Sequence, residues 1–168
     1  MGEVVYLSLG SNLGNREEYL RRATENLAGM IGVTLLAESS LYRSVPIDCR
    51  PGCPEFLNKV VKLDCTLKPV QLLDNMERLE SSLGRAQKGY YVDRVIDIDI
   101  ILFGQRVFRN ERLEIPHPRM PQRSFVLIPL CEIEPAIADP RTGQKFADIM
   151  NGLGNQGVTL YKVLARDK

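Results

Sequence analysis

The stretch RVIDIDIILF, residues 94–103, alternates apolar and acidic side chains and then becomes wholly apolar. Because successive strand residues point to opposite faces, this pattern predicts a strand. Ile96, Ile98, Ile100 and Leu102 would fill a core on one face, while Asp97 and Asp99 would lie on the other. Strand geometry places the Cα atoms of these two aspartates roughly 6–7 Å apart. The rest of the fold can be worked out from this strand.

The chain before this strand reads as strand, helix, strand, strand and helix. β-Branched or alternating apolar residues predict strands at 4–9, 33–45 and 56–65. Apolar residues spaced by three and four predict helices at 16–31 and 69–83, each followed by a glycine. The apolar face of the first helix includes Ile31.

This order of elements predicts the ferredoxin-like βαββαβ core, an α+β fold with a mainly antiparallel sheet and helices on its faces. A short strand at Val107-Phe108 follows the last core strand. The remainder, from Asn110, is rich in proline and then helical near 125–132 and 146–153. We expect this C-terminal part to elaborate the same core, so that residues 1–168 form a single domain.

Composition limits the kinds of partner. The chain has 168 residues, 44% of them hydrophobic, and a formal net charge of +1, which disfavours binding nucleic acid by bulk charge. No apolar run approaches the roughly 20 residues of a membrane span. The N-terminus lacks the features of a signal peptide. We therefore expect a soluble, cytoplasmic, monomeric protein with no nucleic-acid or membrane partner.

The cysteines are expected to be reduced thiols, because no secretion signal is present. The chain has four of them, Cys49, Cys53, Cys65 and Cys131. The Cys49 and Cys53 pair lacks the second pair of ligands that a structural zinc site needs.

Asp97 and Asp99 are the first candidate site. Two carboxylates on one strand face repel each other unless a cation lies between them, and hard oxygen ligands suit Mg²⁺. Aspartate is also a poor strand former, so two aspartates inside an isoleucine run are costly. The alternative is an ordinary solvated strand face, and the residues alone leave both interpretations open.

Cationic residues cluster around this pair in the sequence. They are Arg85, Lys88, Arg94, Arg119 and Arg123, together with the single histidine, His117, which stands between two prolines. The planar guanidinium group matches phosphate oxygens, so a basic loop beside paired carboxylates suggests a nucleotide–Mg²⁺ site. Ordinary surface charge is the alternative for the arginines, and a structural hydrogen bond is the alternative for His117.

Seven short motifs, taken in order, resemble those of a known family. They are LGSNLG at 9–14, SLYRS at 40–44, FLN at 56–58, LGR at 83–85, RVIDIDI at 94–100, PHPRM at 116–120 and RSFVL at 123–127. From residue 4 to about residue 135 the chain resembles the 6-hydroxymethyl-7,8-dihydropterin pyrophosphokinase family of folate biosynthesis. The strand with two aspartates, followed by the Pro-His-Pro-Arg-Met segment, is the most specific part of this resemblance.

The resemblance implies transfer of a pyrophosphoryl group from ATP to the hydroxymethyl group of a reduced pterin, with release of AMP. It implies that Asp97 and Asp99 hold two Mg²⁺ ions. It also implies that ATP and its triphosphate are contacted by Arg85, Arg94, His117 and Arg123, with Lys88 a further cation of the same loop. The implied pterin site comprises Gly10, Ser44, Val45, Pro46, Ile47, Phe56, Asn58 and Phe125, with Phe56 and Phe125 stacking on the ring.

The chain departs from the family pattern in the loop between Arg85 and Arg94. Where the family usually has a second arginine and Trp-Gly-Pro, this chain has Gln87 and the residues 91–93. We expect weaker closure of this loop over ATP. Two other functions remain as alternatives at this point: a ferredoxin-like binding module without catalysis, and a phosphotransferase acting on another alcohol.

Overall fold

The computed structural model of the protein describes residues 2–46, 51–84 and 95–164. Its elements in chain order are β1 (Glu3–Ser11), α1 (Arg16–Ala28), β2 (Val33–Glu38), β3 (Leu41–Ser44), β4 (Phe56–Cys65), α2 (Pro69–Ser82), β5 (Asp97–Phe103), β6 (Phe108–Arg109), β7 (Glu114–Ile115), a short 3-10 helix (Met120–Gln122), α3 (Ser124–Ile133), α4 (Phe146–Leu153) and β8 (Thr159–Lys162).

The main sheet has the order β5-β1-β4-β3-β8, and β2 also pairs with β4. Every pairing in it is antiparallel. If β2 and β3 are counted together as the second core strand, the order of the four core strands is fourth, first, third, second. The predicted α+β fold with a ferredoxin-like core is therefore confirmed.

Each face of the sheet carries its own apolar cluster. On one face, α1 and α2 pack against β1 in one buried cluster, which includes Leu20, Leu27, Leu72 and Met76 of the helices and Val5, Leu7 and Leu9 of the strand. On the other face, Val126, Leu130 and Phe146 of α3 and α4 pack with Tyr6 and Val60 of the sheet. Because α3 and α4 cover only part of this second face, the rest of it is available for a site.

The predicted strand 33–45 is divided into β2 and β3 by Ser39 and Ser40. Ser39 bonds to Val60 through both its backbone N–H, which donates to the carbonyl, and its hydroxyl oxygen, which accepts the Val60 N–H. The Ser39 side chain thus replaces one backbone group in the hydrogen bonding between the strands, and pairing with a different part of β4 begins again at Tyr42. Val45, expected on the buried face, is 55% exposed.

Two apolar residues lie elsewhere than the sequence pattern predicts. α1 ends at Ala28, three residues before Ile31, which is 92% exposed and contributes nothing to the core. In β5 the register shifts between Tyr6 and Leu7 of β1, so that the facing residues jump from Leu102 to Ile100. This bulge places Leu102 in the second cluster instead of on the isoleucine face.

The C-terminal part contains both predicted helices and one strand that the sequence analysis missed. α3 and α4 match the expected helical segments. β8 adds an edge strand beside β3, and all four of its residues are exposed. The predicted short strand at Val107-Phe108 is shifted by one residue, since β6 begins at Phe108 and pairs with β7.

The expectation of reduced thiols is wrong for Cys53, which is disulfide-bonded, and right for Cys65 and Cys131, which are free. Cys49 lies outside the described residues. Within the described ranges, no helix is long and apolar enough to cross a membrane.

Phe146 is the residue through which α4 joins the second cluster, and its side chain is fully buried. Replacing it by alanine should lower the free energy of unfolding by about 3–5 kcal/mol, because apolar contacts are lost and a cavity remains. Equilibrium denaturation measures this loss. Ile31→Ala is the control for removing an apolar side chain, and it should change stability by less than about 0.5 kcal/mol. Similar losses in both variants would contradict the assigned core.

Candidate functional site

One row of residues runs across four strands on the face that α3 and α4 leave partly uncovered. Gly10 of β1 pairs with Asp97 of β5 on one side and with Asn58 of β4 on the other. Asn58 in turn pairs with Tyr42 of β3. Because directly paired residues point to the same face, the predicted metal ligand and the predicted pterin-reading amide lie on either side of a glycine.

Gly10 has no side chain that would compete for space with its neighbours in this row. A Cβ atom at this position would lie 3.1 Å from Oδ1 of Asn58 and 3.4 Å from Cδ1 of Phe56. Any larger side chain would therefore displace the amide and the ring beside it. The absence of a side chain lets these two groups lie against the backbone of the central strand, and the contact of Gly10 with a pterin stays a prediction.

The amide of Asn58 is held in one orientation. Its Nδ2 donates a 2.7 Å hydrogen bond to Oγ of Ser44, and both residues are buried. Ser44 is also the strand partner of Phe56. With Nδ2 engaged, Oδ1 is directed toward Gly10 and the open row. The structure therefore brings Gly10, Ser44, Phe56 and Asn58 together, with Val45 and Pro46 following directly at the end of β3.

The loop before β4 is tied to the end of β1 by side chains that the sequence analysis missed. Nδ2 of the buried Asn12 lies 3.0 Å from Sγ of Cys53 and donates to the carbonyl of Pro54 at 3.3 Å. Arg16 donates to the carbonyl of Glu55 at 2.8 Å. These bonds fix the start of β4, where Phe56 lies. The family motif at 9–14 contains Asn12, but only the structure shows its partner.

Phe125 lies in the first turn of α3, partly buried against the second cluster. The guanidinium carbon of Arg123 lies over its ring, 5.5 Å from the centroid, within the range of a cation–π contact. The structure thus joins a predicted ATP-contacting residue to a predicted pterin-stacking residue. A ligand on the ring and an anion at the guanidinium would be adjacent.

Two carboxylates fix the other end of α3 to the sheet. Glu132 accepts hydrogen bonds from the backbone N–H and hydroxyl of Ser40 and from the hydroxyl of Tyr42. Glu134 accepts from Tyr6 at 3.0 Å and from Lys62 at 2.6 Å. The bond from Lys62 is the main reason that the pKa of Glu134 lies below its ordinary value. The orientation of α3, and hence of Phe125, depends on these contacts.

His117 is close to the acidic pair and to two arginines. Burial, reinforced by the positive charges of Arg123 and Arg119, lowers its pKa to about 4, although Asp97 opposes this shift. Its Nδ1 accepts the backbone N–H of Arg119 at 3.1 Å. At neutral pH the imidazole is therefore uncharged, with Nδ1 as acceptor and Nε2–H as donor. A neutral donor beside arginines suits a phosphate oxygen.

Asp97 and Asp99 are both partly buried and lie on the same strand face, as predicted. Among the described residues, no group of three or more His, Cys, Asp and Glu side chains can hold a metal ion. Asp97 and Asp99 as a pair fit Mg²⁺, which usually keeps waters and binds through one or two carboxylates plus substrate phosphates. The donor set therefore fits the implied metal.

Several predicted site residues lie outside the described ranges, namely Ile47, Arg85, Lys88 and Arg94, together with the unusual loop at 86–93. The structure does add one carboxylate that the sequence analysis did not single out. Glu80, in the last turn of α2, is only 2% exposed. Glu80 follows Met76 by four residues and precedes Leu83 by three, so the helical period places it on the buried face of α2.

Comparison with known proteins gives the same assignment over most of the chain. The family model described as 7,8-dihydro-6-hydroxymethylpterin-pyrophosphokinase (HPPK) matches residues 6–135. The 2-amino-4-hydroxy-6-hydroxymethyldihydropteridine pyrophosphokinase of Bacillus subtilis is 40% identical over 133 residues, which cover 79% of this chain and 79% of that protein. The protein of the same name from Porphyromonas gingivalis is 45% identical over 136 residues, covering 79% and 91%.

Some relatives are much longer. The folic acid synthesis protein fol1 of Pneumocystis carinii is 41% identical over 145 residues, but the match spans only 19% of its length. Among solved structures, wild-type Plasmodium falciparum HPPK-DHPS with SDX-DHP has a TM-score of 0.73 at 13% identity, covering 90% of this chain and 44% of that one. At this identity the likeness supports the fold alone.

The environment of His117 predicts its titration in the metal-free protein. Because it is the only histidine, its imidazole signals can be followed directly by NMR. The midpoint should lie at a pH of about 4, and in urea it should return to about 6.5. Between pH values of about 4 and about 6.5, His117 binds more protons in the unfolded chain than in the folded one. The free energy of unfolding should therefore decrease as the pH falls through this range.

His117→Asn is the matched control for this effect, because the shorter amide can still accept a hydrogen bond but does not titrate. The difference in stability between the two proteins should be constant above pH 6.5 and should change as the pH falls toward 4. A folded-state midpoint at 6 or above would contradict the buried, arginine-flanked placement of the ring.

Proposed function

The chain belongs to the 7,8-dihydro-6-hydroxymethylpterin-pyrophosphokinase family, and from this we propose that it transfers a pyrophosphoryl group from ATP to 6-hydroxymethyl-7,8-dihydropterin. The products are AMP and the pterin diphosphate, and the step belongs to folate biosynthesis. The matched region, residues 6–135, contains every candidate site residue of the sequence analysis. We further propose that residues 1–168 act as one pyrophosphokinase domain.

The observation that carries this proposal is the row in which Asp97, Gly10 and Asn58 are direct strand neighbours. It provides an anionic end and a neutral end on one face of the sheet. A reduced pterin is a flat, uncharged ring, and ATP brings a highly charged triphosphate. The row therefore has the charge distribution that a reaction between these two substrates needs.

The neutral end supplies binding and orientation for the ring. Phe56 and Phe125 offer π-faces, which hold a flat ligand without requiring charge. Oδ1 of Asn58, oriented by the bond from its Nδ2 to Ser44, can accept an N–H of the pterin edge. Backbone groups of Ser44, Val45 and Pro46, with Ile47 after them, complete the proposed pterin site. Stacking and edge recognition together direct the hydroxymethyl group along the row.

The charged end supplies charge stabilisation. Asp97 and Asp99 would hold two Mg²⁺ ions, which offset the negative charge of the phosphates. His117 donates from Nε2, and Arg123 neutralises a further phosphate oxygen. Arg85, Lys88 and Arg94 are proposed to contact the triphosphate as well.

In the reaction, the oxygen of the substrate hydroxymethyl group forms a bond to the β-phosphorus of ATP. The bond between this phosphorus and the oxygen bridging to the α-phosphate breaks, and AMP leaves. Phosphoryl transfer of this kind depends on positioning and charge stabilisation more than on covalent catalysis by the protein. A site of carboxylates, arginines and aromatic rings is adequate for that chemistry.

The identity of the nucleotide product tests the proposal. With ATP, Mg²⁺ and 6-hydroxymethyl-7,8-dihydropterin, chromatography should show AMP and pterin diphosphate in equal amounts. Asp97→Asn and Asp99→Asn should each lower turnover by about 10²-fold or more, the scale of removing one preorganised electrostatic contact. Asp148→Asn, the same change at an exposed position of α4, should leave turnover unchanged. ADP as the main product would exclude a pyrophosphokinase.

The proposed ring contact gives a separate prediction. Phe125→Leu retains apolar volume against the second cluster but removes the π-face. Pterin affinity should fall by a factor corresponding to about 0.5–1.5 kcal/mol, while ATP affinity measured without pterin should change much less. Calorimetry measures both affinities, with Phe108→Leu as the control for the same exchange in β6. Unchanged pterin affinity would exclude Phe125 from the stack.

A further inference from the structure

The segment between α4 and β8 lies outside the part of the chain that matches the family model, which ends at residue 135. Residues 154–158 form a turn here, which we call the C-terminal turn. It contacts two segments that the proposed function assigns to the pterin site. One is the junction between the 3-10 helix and α3, and the other is the end of β3.

Three hydrogen bonds join the C-terminal turn to the start of α3. Oε1 of Gln156 accepts the backbone N–H of Ser124 at 2.9 Å, and its Nε2 donates to the carbonyl of Gln122 at 3.2 Å. The hydroxyl of Ser124 donates to the carbonyl of Gly154 at 2.7 Å. Ser124 is fully buried, so these bonds lie directly between the two neighbouring site residues, Arg123 and Phe125.

Gln156 caps the start of α3, although it lies 32 residues away from Ser124 in the sequence. The first N–H groups of a helix have no partner within the helix and need an acceptor from elsewhere. Arg123 occupies the N-cap position of α3, and an arginine side chain has no acceptor to offer. The amide of Gln156 supplies one to Ser124, so the backbone conformation at the start of α3 depends on the C-terminal turn.

The same turn also contacts the end of β3. A Cβ atom at Gly157 would lie 3.4 Å from Cγ2 of Val45, so the turn passes close to this side chain. Immediately after the turn, Thr159 of β8 pairs with Arg43 of β3. The turn is therefore linked to the start of α3 by hydrogen bonds and lies beside the end of β3.

The backbone of Gln156 supports a specific role for its side chain. Its φ angle is 49°, and among the described residues it is the only non-glycine with a positive φ. Most side chains avoid this left-handed region, and glycines occupy it on either side, at 154 and 157. Both ends of the Gln156 amide are hydrogen-bonded, and these bonds help to stabilise this backbone conformation.

We propose that Gln156 is a positioning residue for the pterin site, acting through Ser124 on the ring of Phe125 and on Arg123. This inference rests on the proposed function. Loss of the amide would let the start of α3 move relative to Val45 and Asn58. The effect should therefore appear in pterin binding more than in the chemical step.

The test compares three variants in steady-state assays with ATP, Mg²⁺ and 6-hydroxymethyl-7,8-dihydropterin. Gln156→Gly removes the amide, and glycine adopts the positive φ without strain, so the fold of the turn should be kept. The KM for the pterin should rise about fivefold, the scale of one neutral hydrogen bond, with kcat changed by less than about twofold. Gln156→Glu retains an acceptor for Ser124 and should restore KM to within about twofold. Gln144→Gly is the control at an exposed position of the C-terminal part.

A second readout does not depend on activity. Hydrogen exchange of the Ser124 amide should become faster in Gln156→Gly and should be unchanged in Gln144→Gly. If the wild-type protein forms no AMP, the proposed function fails, whatever the exchange shows. If the wild type is active, an unchanged pterin KM in Gln156→Gly overturns the positioning role, as does an equal rise in KM with Gln156→Glu.

Discussion

The pairing of Gly10 with Asp97 on one side and with Asn58 on the other is the constraint on which the site depends. Antiparallel register puts paired residues on the same face, and the alternation of β1 puts its odd-numbered apolar residues on the opposite face. One central strand therefore provides the floor of the site with one set of residues and the core under α1 and α2 with the other. A shift of register by one residue would bury the aspartates and expose the core.

The residues that fix this register could be read from the sequence because they are apolar and periodic. β4 lies at the predicted residues, and β1 and α2 lie close to theirs. Asp97 and Asp99 share a face for the same reason. The sequence indicates which distant segments lie close together in space only through the family resemblance. The alternation in β4 places Asn58 on a strand, but it does not reveal that Gly10 is its neighbour.

The elements that were missed are those whose stability comes from polar or long-range contacts. β8 is exposed along its whole length and has no apolar face, so no periodicity distinguishes it from a loop. It forms because β3 offers an unpaired edge, and because Glu17 of α1 accepts hydrogen bonds from Tyr161 and Lys162. The division of the second strand at Ser39 likewise depends on a side-chain bond to Val60. Such contacts are particular to one pair of residues and leave no repeated pattern.

The distribution of charged side chains on the sheet also depends on which face each strand residue points to. The face shared with α3 carries the partly buried ion pair of Lys62 with Glu134, in which the hydrogen bond from the lysine is the main cause of the lowered glutamate pKa. Asp97 and Asp99 lie on this face as well, and Asp97 is close enough to His117 to oppose the lowering of the imidazole pKa. Two carboxylates on one strand face give this end of the row a negative charge that a bound cation can balance. At the other end of the row, Asn58, Ser44 and Phe56 carry no charge at all. The row thus changes from acidic at Asp97 to neutral at Asn58. The acidic end suits a metal-bound triphosphate and the neutral end suits a flat uncharged ring, and the two ends meet at Gly10.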